Sequence, residues 1–269
     1  MSHVVLREPA ARMGLRVFAA AVALTAATAA VVCAEPAGLR IVAADGVSVY
    51  ADLYRRDGGA RGPLLLLFHQ AGSNAAEYEP IAPRLNELGW DALAIDQRSG
   101  GHKWGRGNRT VGRLGHSTTF PDAYADLEAA LDWARSERYA GPVVVVGSSY
   151  SAALVLRLAA EREVDGVVAL SPGEHAGEGF PVRGWASGVR VPALLVAMPG
   201  PEQYEAQSFV DAIGSPRKRL LIPASPAHAA AVLREDRNPG GTGEVWDALT
   251  TFLADIARPV ATPNAKGDG

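Results

Sequence analysis

The chain of 269 residues contains a single cysteine, Cys33. One thiol cannot form a disulfide within the chain, and it cannot supply the several thiolates that structural zinc sites use. If residues 1–34 are removed as a leader, the mature protein has no cysteine. A thiol nucleophile is then excluded as well.

The sequence also lacks an excess of positive charge, because its formal net charge is −3. Proteins that bind nucleic acid usually carry a basic patch, so we expect no nucleic-acid partner. No glycine-rich phosphate-binding motif stands between a strand and a helix. His102 and His116 share a loop without carboxylates or thiols at ligand spacing. We therefore expect no metal and no cofactor.

The N-terminal segment reads as a targeting sequence. Three arginines precede an uncharged apolar run over residues 17–34, which ends in Val32-Cys33-Ala34 before Glu35. A charged start, an apolar stretch and small residues before a polar one are typical of a signal peptide. We predict a cleaved signal over 1–34, hence a secreted or periplasmic protein with no stable membrane insertion after cleavage.

Two alternatives to cleavage remain open. The run could be an uncleaved anchor, although its length is at the lower limit for spanning a bilayer. It could also be a lipoprotein signal ending at Cys33, although Val32 is a poor residue directly before a lipidated cysteine.

Strands and helices alternate along the rest of the chain. Asp45-Gly46 between two alternating apolar runs predicts a β-hairpin. Continuous apolar runs then predict buried parallel strands, separated by segments with helical spacing. We therefore predict an α/β fold over residues 35–258, with a mostly parallel sheet and helices on both faces. Residues 259–269 are rich in Pro, Gly and Lys, and we expect them to be disordered. The strands are expected at 63–68, 90–95, 142–146, 164–170, 191–198 and 219–222, with helices near 77–88, 122–137, 152–162, 203–213 and 244–256.

The pentapeptide Gly147-Ser148-Ser149-Tyr150-Ser151 lies between the strand at 142–146 and the helix that follows it. A serine at the apex of a tight strand–turn–helix is the context of a nucleophile elbow. The turn strains the backbone and needs small residues two before and two after the apex. Gly147 and Ser151 meet that need.

The order of elements and motifs over residues 38–257 resembles the α/β-hydrolase superfamily. Within it, the chain looks like the dienelactone-hydrolase-like and small serine esterase branches, which carry a minimal cap or none. The resemblance implies carboxylic ester hydrolysis through an acyl-enzyme. The motifs that carry it are His69-Gln70-Ala71-Gly72-Ser73, Asp96-Gln97-Arg98-Ser99-Gly100-Gly101, the elbow, and His228 between the last strand and the last helix.

By this resemblance, Ser149 is the nucleophile and His228 the general base. Glu202 is the preferred acid, because it follows the strand at 191–198, but this position lacks the family's common Gly-x-x-Asp. Glu174, which follows the preceding strand, remains the rival.

The resemblance also assigns an oxyanion hole and substrate contacts. The backbone N–H of Tyr150 is one expected donor, and Ala71 is preferred over Gln70 for the other. Gln70, Trp104 and Trp185 are candidate substrate-binding residues. Ordinary packing is the alternative for the two tryptophans.

Three further expectations concern the polar loops. His69 is expected to shape the oxyanion loop by hydrogen bonding, and Asp96 to stabilise a turn by pairing with Arg98. The basic loop over 97–120 is either plain solvated surface or an attractor of anionic substrates.

The expected partner is a small-molecule ester, and the oligomeric state stays open. A peptidase, a lactonase or a dienelactone-type hydrolase would use the same three residues. A non-catalytic binding protein on this scaffold is the alternative from another class.

Overall fold

The computed structural model describes residues 35–56, 58, 61–174 and 180–258. The predicted signal and the predicted C-terminal tail lie outside these residues. Within them, no helix combines the length and the apolar character needed to cross a bilayer.

The described residues contain eight strands, which form one sheet in the order β1-β2-β4-β3-β5-β6-β7-β8. The opening hairpin is antiparallel, as is the pairing of β2 with β4, and all other pairs are parallel. This confirms the predicted mostly parallel sheet. The strands are β1 Ala37–Val42, β2 Ser48–Tyr54, β3 Leu64–Phe68, β4 Asp91–Asp96, β5 Val143–Ser148, β6 Gly166–Leu170, β7 Ala193–Val196 and β8 Lys218–Leu221.

Helices connect the strands on both faces. The α-helices are α1 Ala82–Glu87, α2 Arg109–Leu114, α3 Tyr124–Ser136, α4 Tyr150–Glu161, α5 Val182–Gly188, α6 Pro201–Ala212 and α7 Gly243–Ala257. Short 3₁₀ helices cover Ala75–Tyr78, Pro121–Ala123 and Ala229–Leu233.

The helix predicted at 77–88 is broken into two pieces, which corrects the sequence interpretation. Pro80 lies between the 3₁₀ turn and α1. Its ring removes one N–H donor and collides with the carbonyl four residues earlier, so a continuous helix cannot pass through it. The loop over 97–120 also differs from expectation, because it contains α2, which Asn108 caps by accepting from the N–H of Val111 at 2.9 Å.

The apolar side chains of β3 show how the sheet forms two cores. Its residues point alternately to opposite faces, as strand geometry dictates. Leu64, Leu66 and Phe68 belong to the cluster that includes α3 to α6, whereas Leu65 and Leu67 belong to the cluster with α1 and α7. A strand buried on both faces therefore reads as the continuous apolar run seen in the sequence.

The carboxyl ends of the parallel strands gather the polar residues at one edge of the sheet. Ligands of such sheets bind at this edge. The described insertions near it are small, namely α2 after β4 and α5 after β6. The described residues therefore form no separate cap domain. The residues at the edge are His69 after β3, Asp96 on β4, Ser149 after β5, Ser171 after β6, Met198 after β7 and His228 after β8.

Asp96 does not pair with Arg98, contrary to expectation. Its carboxylate accepts from the Ala75 N–H at 2.7 Å and from Arg109 Nε at 2.6 Å. Arg98 lies against Asp126, with 2.7 Å between Nη2 and Oδ1. β4 ends at Asp96, so Arg98 already lies in the loop beyond the strand, and the two side chains find partners in different elements.

Most cations of the basic loop are bound to carboxylates rather than free for an anionic substrate. Arg106 and Arg109 both pair with buried Asp52, and Arg109 also pairs with Asp96. A buried carboxylate without a partner would cost several kcal/mol, so these arginines are structural. Lys103 and Arg113 differ from them within the described residues: Lys103 Nζ donates to Gln70 Oε1 at 2.9 Å, and the exposed Arg113 pairs with no carboxylate.

Candidate active site

Ser149 occupies a strained turn between β5 and α4. Its backbone has φ 58° and ψ −122°, a region that costs a non-glycine residue about 1–3 kcal/mol. Its N–H donates to the Leu170 carbonyl at 2.8 Å, which ties the turn to β6. A Cβ on Gly147 would lie 2.2 Å from the Ser151 carbonyl oxygen, so only glycine fits there. The strand, tight turn and helix expected from the sequence are present, with Ser149 at the apex of the turn.

Ser149, His228 and Glu202 form a continuous hydrogen-bonded chain. His228 Nε2 lies 3.1 Å from Ser149 Oγ, and His228 Nδ1 lies 3.3 Å from Glu202 Oε2. Ser149 is 9% exposed, and the His228 side chain is 42% exposed. The chain of contacts thus begins at a nearly buried hydroxyl and passes through an imidazole that solvent can reach.

Three groups hold the Glu202 carboxylate in place. The Met198 N–H donates to Oε1 at 2.9 Å, and the Ser171 hydroxyl and His228 also bond to the carboxylate. Burial raises the pKa of Glu202, but these hydrogen bonds outweigh it and leave the pKa below its ordinary value. Glu202 is therefore ionised at neutral pH. The rival Glu174 is exposed, and among the described residues it makes no bond to the imidazole.

The loop that carries His228 is clamped by two buried serines. The Ala229 N–H donates to Ser171 Oγ at 2.8 Å, and the Ala230 N–H donates to Ser148 Oγ at 3.1 Å. Ala229 has φ 58°, a conformation that alanine rarely adopts. The two bonds offset the strain and hold the imidazole next to Ser149.

The predicted oxyanion donors are the backbone N–H groups of Tyr150 and Ala71. Within the described residues, neither N–H has an acceptor. The N–H of Gln70, the alternative donor, is already bound to Glu77 Oε2 at 3.1 Å. This favours Ala71 over Gln70 as the second donor.

His69 fixes the loop next to Ala71. Its buried ring lies 2.8 Å from the Gln70 carbonyl through Nδ1 and accepts from the Gln97 N–H at 3.0 Å through Nε2. Burial lowers the pKa of His69, so the ring is neutral and carries its proton on Nδ1. The expectation that His69 shapes this loop by hydrogen bonding is confirmed.

The Tyr150 side chain supports the elbow from behind. Its ring is buried and stacks on Phe120, with 4.4 Å between the centroids. Its hydroxyl contacts Ser99 Oγ at 2.5 Å and accepts from Gln97 Nε2 at 2.7 Å. No role was predicted from the sequence for Gln97 and Ser99, although both belong to the motif that directly follows β4.

The candidate substrate-binding side chains have other contacts. Trp104 donates its indole N–H to Ser73 Oγ at 2.8 Å, and its ring packs under Arg234. Trp185 packs edge-on against Phe180 at 4.8 Å. Gln70 is bound to Lys103. Their contact with substrate stays a prediction.

Solved structures share this fold. The dienelactone hydrolase from Anabaena variabilis is 21% identical, with a TM-score of 0.64 over 84% of this chain and 100% of that one. The Pyrococcus furiosus esterase Pf2001 is 20% identical, with a TM-score of 0.64 over 82% and 92%. Est1E from Butyrivibrio proteoclasticus, bound to ferulic acid, is 17% identical, with a TM-score of 0.64 over 81% and 98%. No curated protein matches the sequence.

The fold and the comparisons together define a hydrolase of the α/β-hydrolase superfamily. The family model described as serine aminopeptidase, S33, matches residues 60–223, which is more than half of the chain. This protein belongs to that family.

Proposed function

We propose that this protein is a serine hydrolase that cleaves small carboxylic esters. One observation carries the proposal, which is the hydrogen-bonded chain from Ser149 Oγ through His228 to Glu202. A serine hydroxyl is a poor nucleophile unless a base lies within hydrogen-bond reach and a third group orients that base. Here the two contacts and the ionised Glu202 supply both conditions.

In the first half of the reaction, Ser149 Oγ attacks the ester carbonyl carbon and His228 Nε2 takes the hydroxyl proton. The carbonyl oxygen becomes an oxyanion, held by the N–H groups of Tyr150 and Ala71. Glu202 accepts from Nδ1–H and stabilises the imidazolium. The tetrahedral species then expels the alcohol, which receives the proton from His228, and the acyl group remains on Ser149.

In the second half, a water molecule gives a proton to His228 and attacks the acyl carbon. The same two N–H groups hold the second oxyanion. Its collapse releases the carboxylic acid, and Ser149 Oγ takes back the proton. The reaction is balanced by one water and needs no metal or cofactor.

An aminopeptidase is the second candidate, because the family description names that activity. Such an enzyme needs a free carboxylate near the nucleophile to bind the substrate's ammonium group. Glu202 is engaged by His228, and Glu77 is fully buried and bonded to Ser148 and Gln70. Because both of these carboxylates are already engaged, we favour the ester. A panel of p-nitrophenyl esters of increasing acyl length, run beside aminoacyl p-nitroanilides, separates the two activities.

The central test is Ser149→Ala, assayed for ester hydrolysis and for labelling by a fluorophosphonate probe. Removing one member of a triad costs about 10⁴-fold or more in rate. We expect both signals to disappear while the melting temperature stays close to that of the wild type. Ser208→Ala, a surface serine on α6, serves as the control. Unchanged hydrolysis by Ser149→Ala, or a wild-type protein that the probe does not label, would contradict the proposal.

We also propose that the protein is exported, with residues 1–34 removed. The support is the charged start, the apolar run and the small residues before Glu35. N-terminal sequencing of the exported protein is expected to begin at Glu35. A lipid-modified Cys33 or an intact N-terminus would refute cleavage and leave the proposed chemistry untouched.

A further inference from the structure

Glu77 is a fully buried carboxylate that the proposed reaction does not use. It lies in the 3₁₀ turn after β3, below the oxyanion loop. Burying a charge is costly unless the carboxylate receives several hydrogen bonds. What those bonds connect therefore indicates what the residue does.

Both oxygens of Glu77 are occupied. Oε2 accepts from the Gln70 N–H at 3.1 Å, and Oε1 accepts from the Ser148 hydroxyl. Ser148 Oγ accepts in turn from the Ala230 N–H at 3.1 Å. These bonds form one continuous path through the interior, from the loop after β3, past the elbow, to the loop after β8.

Three residues along this path lie close in sequence to groups with a proposed role in the reaction. Gln70 precedes the oxyanion donor Ala71, Ser148 precedes the nucleophile Ser149, and Ala230 follows two residues after His228. The three groups come from loops that are far apart in the sequence. Their relative positions need a common anchor.

We infer that Glu77 and Ser148 act together as positioning residues that set the oxyanion hole, the nucleophile and the base against one another. The inference rests on the proposed function. Neither side chain touches the substrate. A shift of about 1 Å at reacting groups can cost 10²-fold in rate, so an anchor of this kind acts on kcat.

A second contact ties the segment after His228 to the turn that carries Glu77. The Arg234 guanidinium donates to the main-chain carbonyl of Glu77 at 2.8 Å. Arg234 directly follows the 3₁₀ helix that begins after His228. The segment after His228 is therefore connected to Glu77 twice, to its side chain through Ser148 and to its main-chain carbonyl through Arg234.

The test compares Ser148→Ala, Glu77→Gln and the double variant with the wild type. Ser148→Ala removes the central hydroxyl. Glu77→Gln keeps the volume, but an NH₂ group replaces one of the two carboxylate oxygens, so either the Gln70 N–H or the Ser148 O–H loses its acceptor. It carries the test even if Ser148→Ala does not fold. The measurements are kcat and KM for a p-nitrophenyl ester, the inhibition constant of a phenylboronic acid, and the melting temperature.

We expect each single variant to lower kcat by about 10- to 100-fold with little change in KM. The boronic acid forms a tetrahedral adduct on the serine, so its affinity should fall by a similar factor. The double variant should lose no more activity than the less active of the two single variants, because the effects of substitutions within one hydrogen-bond network do not add.

Thr110→Val is the matched control. Thr110 is also fully buried, and its Oγ1 accepts the Tyr50 N–H at 3.0 Å, but it lies on α2, outside the path. It should lower the melting temperature and leave kcat unchanged.

The inference fails if folded Ser148→Ala and Glu77→Gln keep the wild-type kcat, or if their losses multiply in the double variant. A loss of kcat in Thr110→Val equal to theirs would also overturn it, since any buried hydroxyl would then do the same. If the wild type is neither active nor labelled by the fluorophosphonate probe, the proposed function has failed instead.

Discussion

Replacing Glu202 by glutamine is the most direct probe of how the acid works. The Met198 N–H donates to Oε1, so the amide carbonyl must take that side. The NH₂ group then faces His228 Nδ1, where the carboxylate oxygen stood. Nδ1 must then accept a hydrogen bond, so the imidazole carries its proton on Nε2. That nitrogen can no longer accept the proton of Ser149.

The size of the effect follows from two features of the site. Loss of the correct tautomer in a serine triad costs about 10⁴-fold in kcat. Here the contact between Nδ1 and Oε2 is 3.3 Å, longer than the about 2.7–2.9 Å of a strong charge-assisted bond. The imidazole is also 42% exposed, so water can partly replace the lost partner. We therefore expect a loss of about 10²- to 10⁴-fold, or about 2.7–5.4 kcal/mol in activation free energy.

The assay is kcat for a p-nitrophenyl ester, with the melting temperature measured on the same samples. Glu174→Gln tests the rival acid, and Glu205→Gln, an exposed residue on the same helix as Glu202, controls for a change of surface charge. Both should match the wild type. Full activity in Glu202→Gln combined with a large loss in Glu174→Gln would refute the reasoning.

Three further predictions follow from the elbow, the acid and the leader. Gly147→Ala should lower the free energy of unfolding by about 3 kcal/mol, because its Cβ would lie 2.2 Å from the Ser151 carbonyl oxygen. Gly112→Ala, which has open space around the new Cβ, should cause no such loss, and equal denaturation midpoints for the two variants would contradict the prediction. The folded pKa of Glu202 is depressed, so its carboxylate stabilises the fold fully above about pH 4.3. The difference in unfolding free energy between wild type and Glu202→Gln should shrink as the pH falls through the depressed pKa of Glu202 in the folded protein. A difference that grows as the pH falls would contradict this prediction. Because the proposed mature chain lacks Cys33, a reductant should leave its melting temperature unchanged, and a shift would indicate a disulfide between two chains through a retained Cys33.

The elements that could be predicted from sequence are those with a strong local pattern. The continuous apolar runs predicted the parallel strands, because a strand that is buried on both faces carries apolar residues at nearly every position. The elbow was visible since a strand, a tight turn and a helix follow each other within a few residues. The prediction of one continuous helix over 77–88 was wrong, because Pro80 interrupts it.

The polar contacts around the site could not be predicted, since they join residues that are distant in the sequence. Glu77 and Ser148 are separated by 71 positions, and Ser148 and Ala230 by 82. No periodicity links such pairs. Asp96 and Arg98 were expected to pair because they are neighbours in the sequence, yet each is satisfied by a residue from another element.

Local propensity also argues against the conformations that the site requires. Ser149, Ser171 and Ala229 all have positive φ, which L-residues with a side chain rarely adopt. Each is held by a bond to a different element: Ser149 N–H to the Leu170 carbonyl, Ser171 N–H to the Val196 carbonyl at 2.7 Å, and Ala229 N–H to Ser171 Oγ. Strain of this kind persists only where the surrounding structure over-determines it, and it collects at functional sites. Three strained residues in the loops after β5, β6 and β8 therefore mark this edge of the sheet as a site, independently of any sequence motif.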